Sequence, residues 1–277
     1  MGKRKLNHLT DLGRHLVLGF FTLIILYPIS WMVMASFKRP GEYLNNLWGL
    51  PEGFQFQNYQ FAWVNADLGT ALFNSLVVSL SVVFLIVTLS GFAAFALGYF
   101  RFRLATAIFF MLVFTMQAPV PLMAMYVVIV KLNLSDSYMG LILPSVAAGL
   151  PLSIFIFRSF FLSVPSEIMD AARVDGCNSL QVFLRVVAPI SGPAIATVSI
   201  LEFVGSWNQY VLPLIVVRRA DMRTLPLAIQ VFFREWGQVE WVQVFAALSI
   251  GTLPIIIIYI IMQRQFIQGL TSGAVKG

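Results

Sequence analysis

Cysteine and histidine are almost missing from this sequence. Among 277 residues there is one cysteine, Cys177, and there are two histidines, His8 and His15. A single thiol excludes a disulfide within the chain, and these few side chains cannot form a closed zinc site. Both histidines also lie far in sequence from Cys177, so no Cys/His or Ser/His/Asp nucleophilic set is indicated. We therefore expect neither a catalytic residue nor a metal ligand.

A phosphate-binding loop of the form Gly-x-x-x-x-Gly-Lys-Ser/Thr is also missing. Such a loop cradles nucleotide phosphates with its backbone N–H groups and its lysine, so the chain has no recognisable ATP site. Interdomain linkers, low-complexity tracts and strong internal repeats are not evident either. We expect one membrane domain over residues 1–277 that binds no cofactor of its own.

Charged residues are the third scarce class, at 11% of the chain against 59% hydrophobic residues. The mean hydropathy of +0.85 exceeds that of ordinary soluble domains. The formal charge of +6 comes mainly from basic residues near the ends of apolar runs. This distribution favours membrane flanks over contact with nucleic acid. The composition thus indicates an all-α protein that crosses a lipid membrane several times.

Six apolar runs are long enough to span a bilayer, which takes about 20 residues per helix. They cover residues 16–37, 73–100, 105–126, 141–161, 194–217 and 241–262. The first run is longer than a signal-peptide core, so we expect it to be retained. Pro119 and Pro121 predict either a break that faces a cavity or a simple kink in the third run. The excess of Lys and Arg in alternate loops predicts that both termini are cytoplasmic. On that topology, residues 38–72 and the charged residues 218–240 are outer loops.

A polar segment from Ser163 to Pro193 separates the fourth and fifth runs. Pro165 suits the first position of a helix, and Glu167 places negative charge near the positive end of the helix dipole. Gly176 can adopt the left-handed conformation that ends such a helix. The Asn or Ser at positions 178–179 can then cap a second short helix. We expect two short helices that meet at a glycine corner.

Residues 170–189 of this segment resemble the "EAA" loop in permeases of importer-type ABC transporters. The family pattern is Glu-Ala-Ala, three residues, Gly, nine residues and Ile-x-Leu-Pro, and the spacing here fits in full. Asp170 replaces the Glu, Val186 replaces the Ile, and Ala188 replaces the Leu. The acid is one carbon shorter than in the family, which puts its partner in doubt.

The resemblance implies that a cytoplasmic loop of about residues 162–190 couples the chain to a separate ATPase. Its small residues would permit close contact, and its acids would fix the register of docking by polar pairing. The candidate coupling residues are Glu167, Asp170, Ala171, Ala172, Asp175 and Gly176.

Polar residues recur at helical spacing along the fifth apolar run. Ser199, Glu202, Ser206 and Gln209 follow at steps of three, four and three, which places them on one helix face. An acid within hydrocarbon is costly unless it faces protein or water, so the stripe should point inward. Two interpretations remain open, a translocation path and a contact with a helix of a partner permease.

The neighbouring Trp207-Asn208 resembles a Trp-Asn pair in sugar-importer permeases of the maltose-transporter type. The tail from Arg264 to Gly277 is similar to the carboxyl end of the same family. If the stripe lines a translocation path, the candidate path residues are Ser199, Glu202, Ser206, Asn208 and Gln209.

The resemblance implies a type I ABC-importer permease fold in the inner membrane of a bacterium, without enzymatic activity. It also implies a second permease subunit, an extracytoplasmic solute-binding protein and two ATPase subunits that bind ATP and Mg. The transported solute would be a sugar or oligosaccharide. The alternatives are a permease for a non-sugar solute and an ion-coupled secondary transporter in which Glu202 binds a proton or ion.

Overall fold

The computed structural model describes the backbone of residues 2–100, 102–117, 121–235 and 240–274. It describes the side chains of residues 13–100, 102–117, 121–234 and 240–264. Every regular element within these ranges is helical, which confirms the all-α prediction for the part of the chain described. The chain forms two compact units, one of residues 1–68 with 229–252 and one of residues 69–228 with 253–277. The single domain over residues 1–277 stays a prediction.

The first unit begins with helices α1 (Gly2–Ser36), α2 (Pro40–Asn45) and α3 (Gln57–Asn65). Lys38 is buried between α1 and α2, and its Nζ donates to the carbonyls of Asn46 and Leu47 at 2.5 and 3.3 Å. Asn58 donates to the carbonyl of Lys38 at 2.9 Å. These bonds give structure to a segment that the sequence predicted to be an outer loop.

The next helices are α4 (Leu68–Tyr99), α5 (Ala105–Thr115), α6 (Leu122–Lys131) and α7 (Tyr138–Phe161). The predicted third span is interrupted, because α5 ends at Thr115 and α6 begins only at Leu122. Pro119 lies outside the described residues. Pro121 directly precedes α6, where its missing N–H removes no intrahelical bond. The proline-rich stretch therefore separates two short helices.

The remaining elements follow in chain order. They are α8 (Ser166–Val174), α9 (Ser179–Val182), a π turn (Phe183–Val187), α10 (Ala188–Ile190), α11 (Gly192–Trp207), α12 (Val211–Val216), a 3-10 turn (Ala220–Met222), α13 (Leu225–Glu235) and α14 (Trp241–Ala274). The chain bends by 77° between residues 179–190 and 192–207. The predicted fifth span is split into α11 and α12. The segment predicted as a charged outer loop, residues 218–240, contains helix α13.

Within the described residues, four helical stretches are long and apolar enough to cross a membrane by themselves. They are Gly13–Ser36, Leu68–Tyr99, Tyr138–Phe161 and Trp241–Arg264. A fifth span is present if the bent pair on either side of residue 191 is counted as one. Several membrane spans are thus confirmed, whereas the number six and the cytoplasmic position of both termini stay predictions.

Candidate functional site

Glu202 on α11 is held by a serine of α7. Its Oε1 accepts a hydrogen bond from Ser153 Oγ at 2.9 Å, and Ser153 is fully buried. Gly149 lies one turn before Ser153, and a methyl group added there would overlap the other carboxylate oxygen, Oε2. Glycine at this position therefore leaves room for the acid to lie between the two helices.

A second polar pair lies about two turns further along and joins α7 to the residues just after the end of α11. Ser145 Oγ lies 2.9 Å from Gln209 Oε1 and 2.7 Å from the carbonyl of Leu141. The hydroxyl has one proton, so it serves only one of these acceptors at a time. When Ser145 donates to the carbonyl of Leu141, the amide oxygen of Gln209 can accept from another hydroxyl.

These groups line one open cleft of about 360 Å³ in the second unit. Glycine and apolar side chains form the rest of its wall, and no basic residue lines it within the described part of the chain. Ser206 Oγ is buried there without a hydrogen-bond partner among the described residues. Because an unpaired buried hydroxyl costs free energy, Ser206 is ready to bond a polar group that enters the cleft. The polar lining residues are Ser145, Glu202, Ser206 and Gln209.

The predicted polar stripe is only partly brought together. Glu202, Ser206 and Gln209 share the cleft, but Ser199 lines a separate apolar cleft of about 200 Å³ beside Phe203. Asn208 is exposed and donates to the carbonyl of Val204 in its own helix at 3.0 Å.

Trp207, the other half of the Trp-Asn pair, is buried and stacks on Phe203 with 5.4 Å between ring centroids. The aromatic half of the motif therefore serves packing.

Sequence reasoning missed the α7 side of the cleft. Ser145, Gly149 and Ser153 are four residues apart, so these small and polar residues fall on one helix face. The same spacing test that found the stripe on α11 would have found them. It was not decisive alone, because a small-residue stripe equally suits helix packing in membranes.

The polar segment after α7 forms the expected corner. Helix α8 begins at Ser166, with Pro165 as the residue before it rather than its first residue. Gly176 has a φ of +84°, the left-handed conformation that ends the helix. Asn178 caps α9, and it exchanges two hydrogen bonds of 2.9 Å with Gln181. The local signals thus predicted the corner correctly, to within one residue at its start.

Most of the candidate coupling residues lie on the surface. Ala172 is buried, so its small side chain packs within the segment rather than facing outward. The hydrophobic side chain of Val174 is 88% exposed, which no sequence pattern predicted. The exposed members are Glu167, Asp170, Ala171, Asp175 and Gly176.

A residue of α4 holds this segment in place. Tyr99 OH accepts a hydrogen bond from Arg173 Nε at 2.7 Å, and Cζ of Arg173 lies 4.5 Å from the centroid of the Tyr99 ring. Arg173 also pairs with Asp170 at 3.0 Å. Arg173 therefore connects the acid of the Asp-Ala-Ala motif to the end of a membrane helix.

Comparison with known proteins shows relatives along most of the chain. The family described as "Binding-protein-dependent transport system inner membrane component" matches residues 86–272. The chain is 35% identical to the probable ABC transporter permease protein YurM of Bacillus subtilis, over 94% of this chain and 87% of the relative. It is 32% identical to the arabinooligosaccharides transport system permease protein AraQ of Halalkalibacterium halodurans, over 99% and 100% of the two chains.

A further relative is the sn-glycerol-3-phosphate transport system permease protein UgpE of Yersinia enterocolitica, 32% identical over 95% of this chain and 96% of the relative.

A solved structure supports the same conclusion about the fold. A chain of a bacterial ABC transporter involved in alginate import superimposes with a TM-score of 0.80 at 23% identity, over 94% of this chain and 97% of that one. This likeness confirms the predicted permease fold. Together with the family match over more than half of the sequence, it places the protein in the membrane as a multi-pass subunit. The chain belongs to the family of binding-protein-dependent transport system inner membrane components, the permeases of ABC transporters.

Proposed function

We propose that this chain is the membrane subunit of an ATP-driven importer and forms part of the path for a sugar or oligosaccharide. The observation that carries the proposal is the polar cleft between α7 and α11. There the hydroxyl of Ser206 has no partner among the described residues, and the amide oxygen of Gln209 can change its partner. Sugars present many hydroxyl groups, each of which both donates and accepts hydrogen bonds. The names of relatives such as the arabinooligosaccharide permease support the same substrate class.

The charge of the cleft favours a neutral solute. Glu202 supplies the only ionisable group among its described lining residues, and that group is an acid. A phosphate or carboxylate entering the cleft would find no cation there to offset its lost hydration. An anionic solute consequently ranks below a neutral sugar. It is kept as the second candidate because one relative is a permease of an sn-glycerol-3-phosphate transport system.

Coupling to ATP hydrolysis is assigned to the segment between α7 and α11. The exposed acids Glu167, Asp170 and Asp175 suit polar pairing with a partner, and the exposed Ala171 permits close approach to the helix backbone. Two ATPase subunits would bind this surface and supply the ATP and Mg sites. This segment and both termini would then be cytoplasmic.

The transport mechanism that follows is alternating access. Closure of the ATPase pair on ATP would move α8, and this movement would reorient α7 and α11 around the cleft. A second permease would complete the path, and an extracytoplasmic binding protein would deliver the solute. The ion-coupled alternative is set aside because the family to which the chain belongs consists of ABC transporter permeases.

Purification of the chain with its native partners tests the proposal. We expect a tagged chain to bring down a second permease and two copies of an ATPase, and a co-encoded binding protein to carry a neutral oligosaccharide. Mass spectrometry identifies the subunits and the bound solute. A chain that purifies alone and transports solute unaided would contradict the assembly, and a binding protein that carries only phosphorylated or acidic solutes would contradict the substrate class.

A further inference from the structure

The segment that follows α1 folds back along that helix. Trp48 stacks on Tyr27 of α1, with 6.4 Å between the ring centroids and 18° between the ring planes. Tyr27 lies nine residues before Ser36, where α1 ends, which is about 14 Å of helix at about 1.5 Å per residue. The indole of Trp48 is therefore beside the membrane span itself rather than beyond its end.

Two further contacts place the same segment at this level. Trp31, five residues before the end of α1, donates from Nε1 to the carbonyl of Leu47 at 3.0 Å. Tyr43 of α2 lies 5.6 Å from Phe245, measured between ring centroids. Phe245 is four residues inside the membrane span that α14 forms. Both spans therefore indicate that residues 43–48 lie below the ends of the membrane helices.

The segment buries polar groups and exposes apolar ones. Lys38 and Asn58 are 1% and 7% exposed, and both donate to main-chain carbonyls. The carboxylate of Glu42 accepts from the backbone N–H groups of Arg39 and Glu52, at 3.3 and 2.8 Å. The large apolar side chains that are 66–75% exposed are Leu44, Trp48, Leu50, Phe54, Phe56 and Val64. A loop in water would cover so many apolar side chains, so the surroundings of this segment are apolar.

Lipid fits this surface better than a protein partner does. The exposed apolar side chains come from α2, from α3 and from the stretch between them, so an apolar medium is needed along the whole segment. Every residue from 13 to 30 of the adjoining helix α1 is exposed as well, and a single partner could cover only one side of that helix. Trp and Tyr are also the residues that favour the boundary between headgroups and acyl chains.

The charges of the segment do not single out an anionic lipid. Among residues 37–67, all of which the structure describes, Arg39 is the only exposed basic residue, against the exposed acids Glu52 and Asp67. Burial of apolar surface rather than headgroup charge therefore supplies the attraction.

We propose that residues 37–67 form an interfacial anchor, a re-entrant segment embedded in one leaflet of the membrane among the upper parts of the acyl chains. The acyl chain of a phospholipid is its ligand, whatever headgroup the lipid carries. The anchor holds the end of α1 at a fixed depth, because Asn58 donates to the carbonyls of Ser36 and Lys38 at 2.7 and 2.9 Å. This leaflet is the outer one on the topology proposed above.

Spin labels on single cysteines test the anchor in the purified assembly, reconstituted in phosphatidylcholine vesicles. In a chain with Cys177→Ser, the labels are attached at Leu44→Cys and Leu50→Cys. The controls are Leu23→Cys, an exposed position in the middle of α1, and Asp221→Cys, an exposed charged position. The measurement is the collision rate of each label with oxygen, which enters lipid, and with chromium oxalate, a charged complex that stays in water and is present on both sides.

We expect the labels at positions 44 and 50 to behave like the label at position 23. Their collisions with chromium oxalate should be at least about tenfold less frequent than those at position 221, because hydrocarbon excludes ions. Phosphatidylglycerol added to the vesicles should leave both rates unchanged, since the anchor has little basic surface.

Three results would overturn the anchor. Collisions with chromium oxalate as frequent as those at position 221 would mean that the segment faces water. Labels that neither agent reaches would mean that a partner subunit covers the segment. Oxygen access that requires the anionic lipid would mean that headgroup charge, rather than apolar side chains, holds it.

The wild-type assembly provides a second test, which does not depend on the cysteine variants. A phospholipid with a photoreactive group in its acyl chain should label peptides from residues 44–56 as well as peptides from the membrane spans. Peptides from residues 218–225 should stay unlabelled, and mass spectrometry identifies the sites. Labelled spans without label in residues 44–56 would contradict the anchor.

Discussion

Ser153 on α7 donates a hydrogen bond of 2.9 Å to the carboxylate of Glu202 on α11. The pair joins two membrane helices beside the polar cleft, where Gly149 leaves room for the acid. An acid within a membrane helix is tolerated when protein or water surrounds it, and here Ser153 bonds the carboxylate beside an open cleft. The relationship explains why a costly side chain is found in an otherwise apolar run.

Removal of the serine hydroxyl should therefore destabilise the protein. Ser153→Ala leaves Glu202 without the partner that the structure gives it, at a cost of roughly 1–3 kcal/mol. Thermal unfolding of the purified assembly in detergent should show a lower midpoint. Ser249→Ala is the matched control, since among the described residues that buried hydroxyl bonds to the carbonyl of Phe245 in its own helix and to no other helix. Equal midpoints for the two variants would mean that the Ser153–Glu202 bond contributes nothing measurable.

A second prediction concerns the glycine corner. Gly176 has a φ of +84°, a conformation that costs other residues about 1–2 kcal/mol, with Asn the best tolerated. Gly176→Leu should leave expression and membrane insertion intact. Because the new side chain displaces α8, it should uncouple ATP hydrolysis from uptake, so that less solute is transported per ATP. Gly176→Asn should have a smaller effect. The measurement is the ratio of solute transported to ATP hydrolysed, and an unchanged ratio in Gly176→Leu would remove this corner from the coupling mechanism.

The third prediction is a pH dependence at the loop between α6 and α7. The backbone N–H groups of Arg219 and Arg218 donate to Asp136 and hold the pKa of that carboxyl below its ordinary value of 3.8. A carboxyl with a lowered pKa in the folded state stabilises the protein above pH 3.8, and this contribution is lost as the pH falls further.

Asp136→Asn should remove this dependence, so the unfolding midpoints of the two proteins should converge between about pH 5 and about pH 2. A difference that stays constant over that range would show that the charge of Asp136 has no part in holding the loop.

Topology provides a fourth prediction. In a chain with Cys177→Ser, a cysteine introduced by Asp221→Cys should react with an impermeant thiol reagent added outside sealed cells. Asp221 is exposed in the loop before α13, and its side chain contacts only Arg219 among the described ion pairs. Native Cys177 should react only after the membrane is opened. Labelling of Cys177 from outside would reverse the orientation and, with it, the assignment of α8 to the ATPase.

Local signals predicted the parts of this fold that depend on neighbouring residues. Gly176, Asn178 and Gln181 lie within six positions, and together they specify the corner through a left-handed glycine and a reciprocal cap. The pairing of Glu202 with Ser153 spans 49 positions. Periodicity placed Glu202 on an inward face but contained no information about which helix faces it.

The breaks in the membrane helices were missed for a related reason. Residues 194–217 read as one apolar run, but α11 ends at Trp207 and α12 begins at Val211. No glycine or proline marks residues 208–210, so composition could not separate a continuous span from two helices. Helix α13 was missed because it lies in the charged segment 218–240, and the charged residues of that segment, including Arg234 of α13, were interpreted as a loop.

Transport driven by ATP through the Glu202 cleft is the central claim, and uptake by proteoliposomes that contain the purified assembly tests it most directly. Uptake of a labelled oligosaccharide is measured with ATP and no ion gradient, and then with a proton or sodium gradient and no ATP. Since Glu202→Gln keeps the shape and one acceptor for Ser153, wild type and variant should both transport with ATP alone. Uptake driven by a gradient in the absence of ATP, and abolished by Glu202→Gln, would contradict the account.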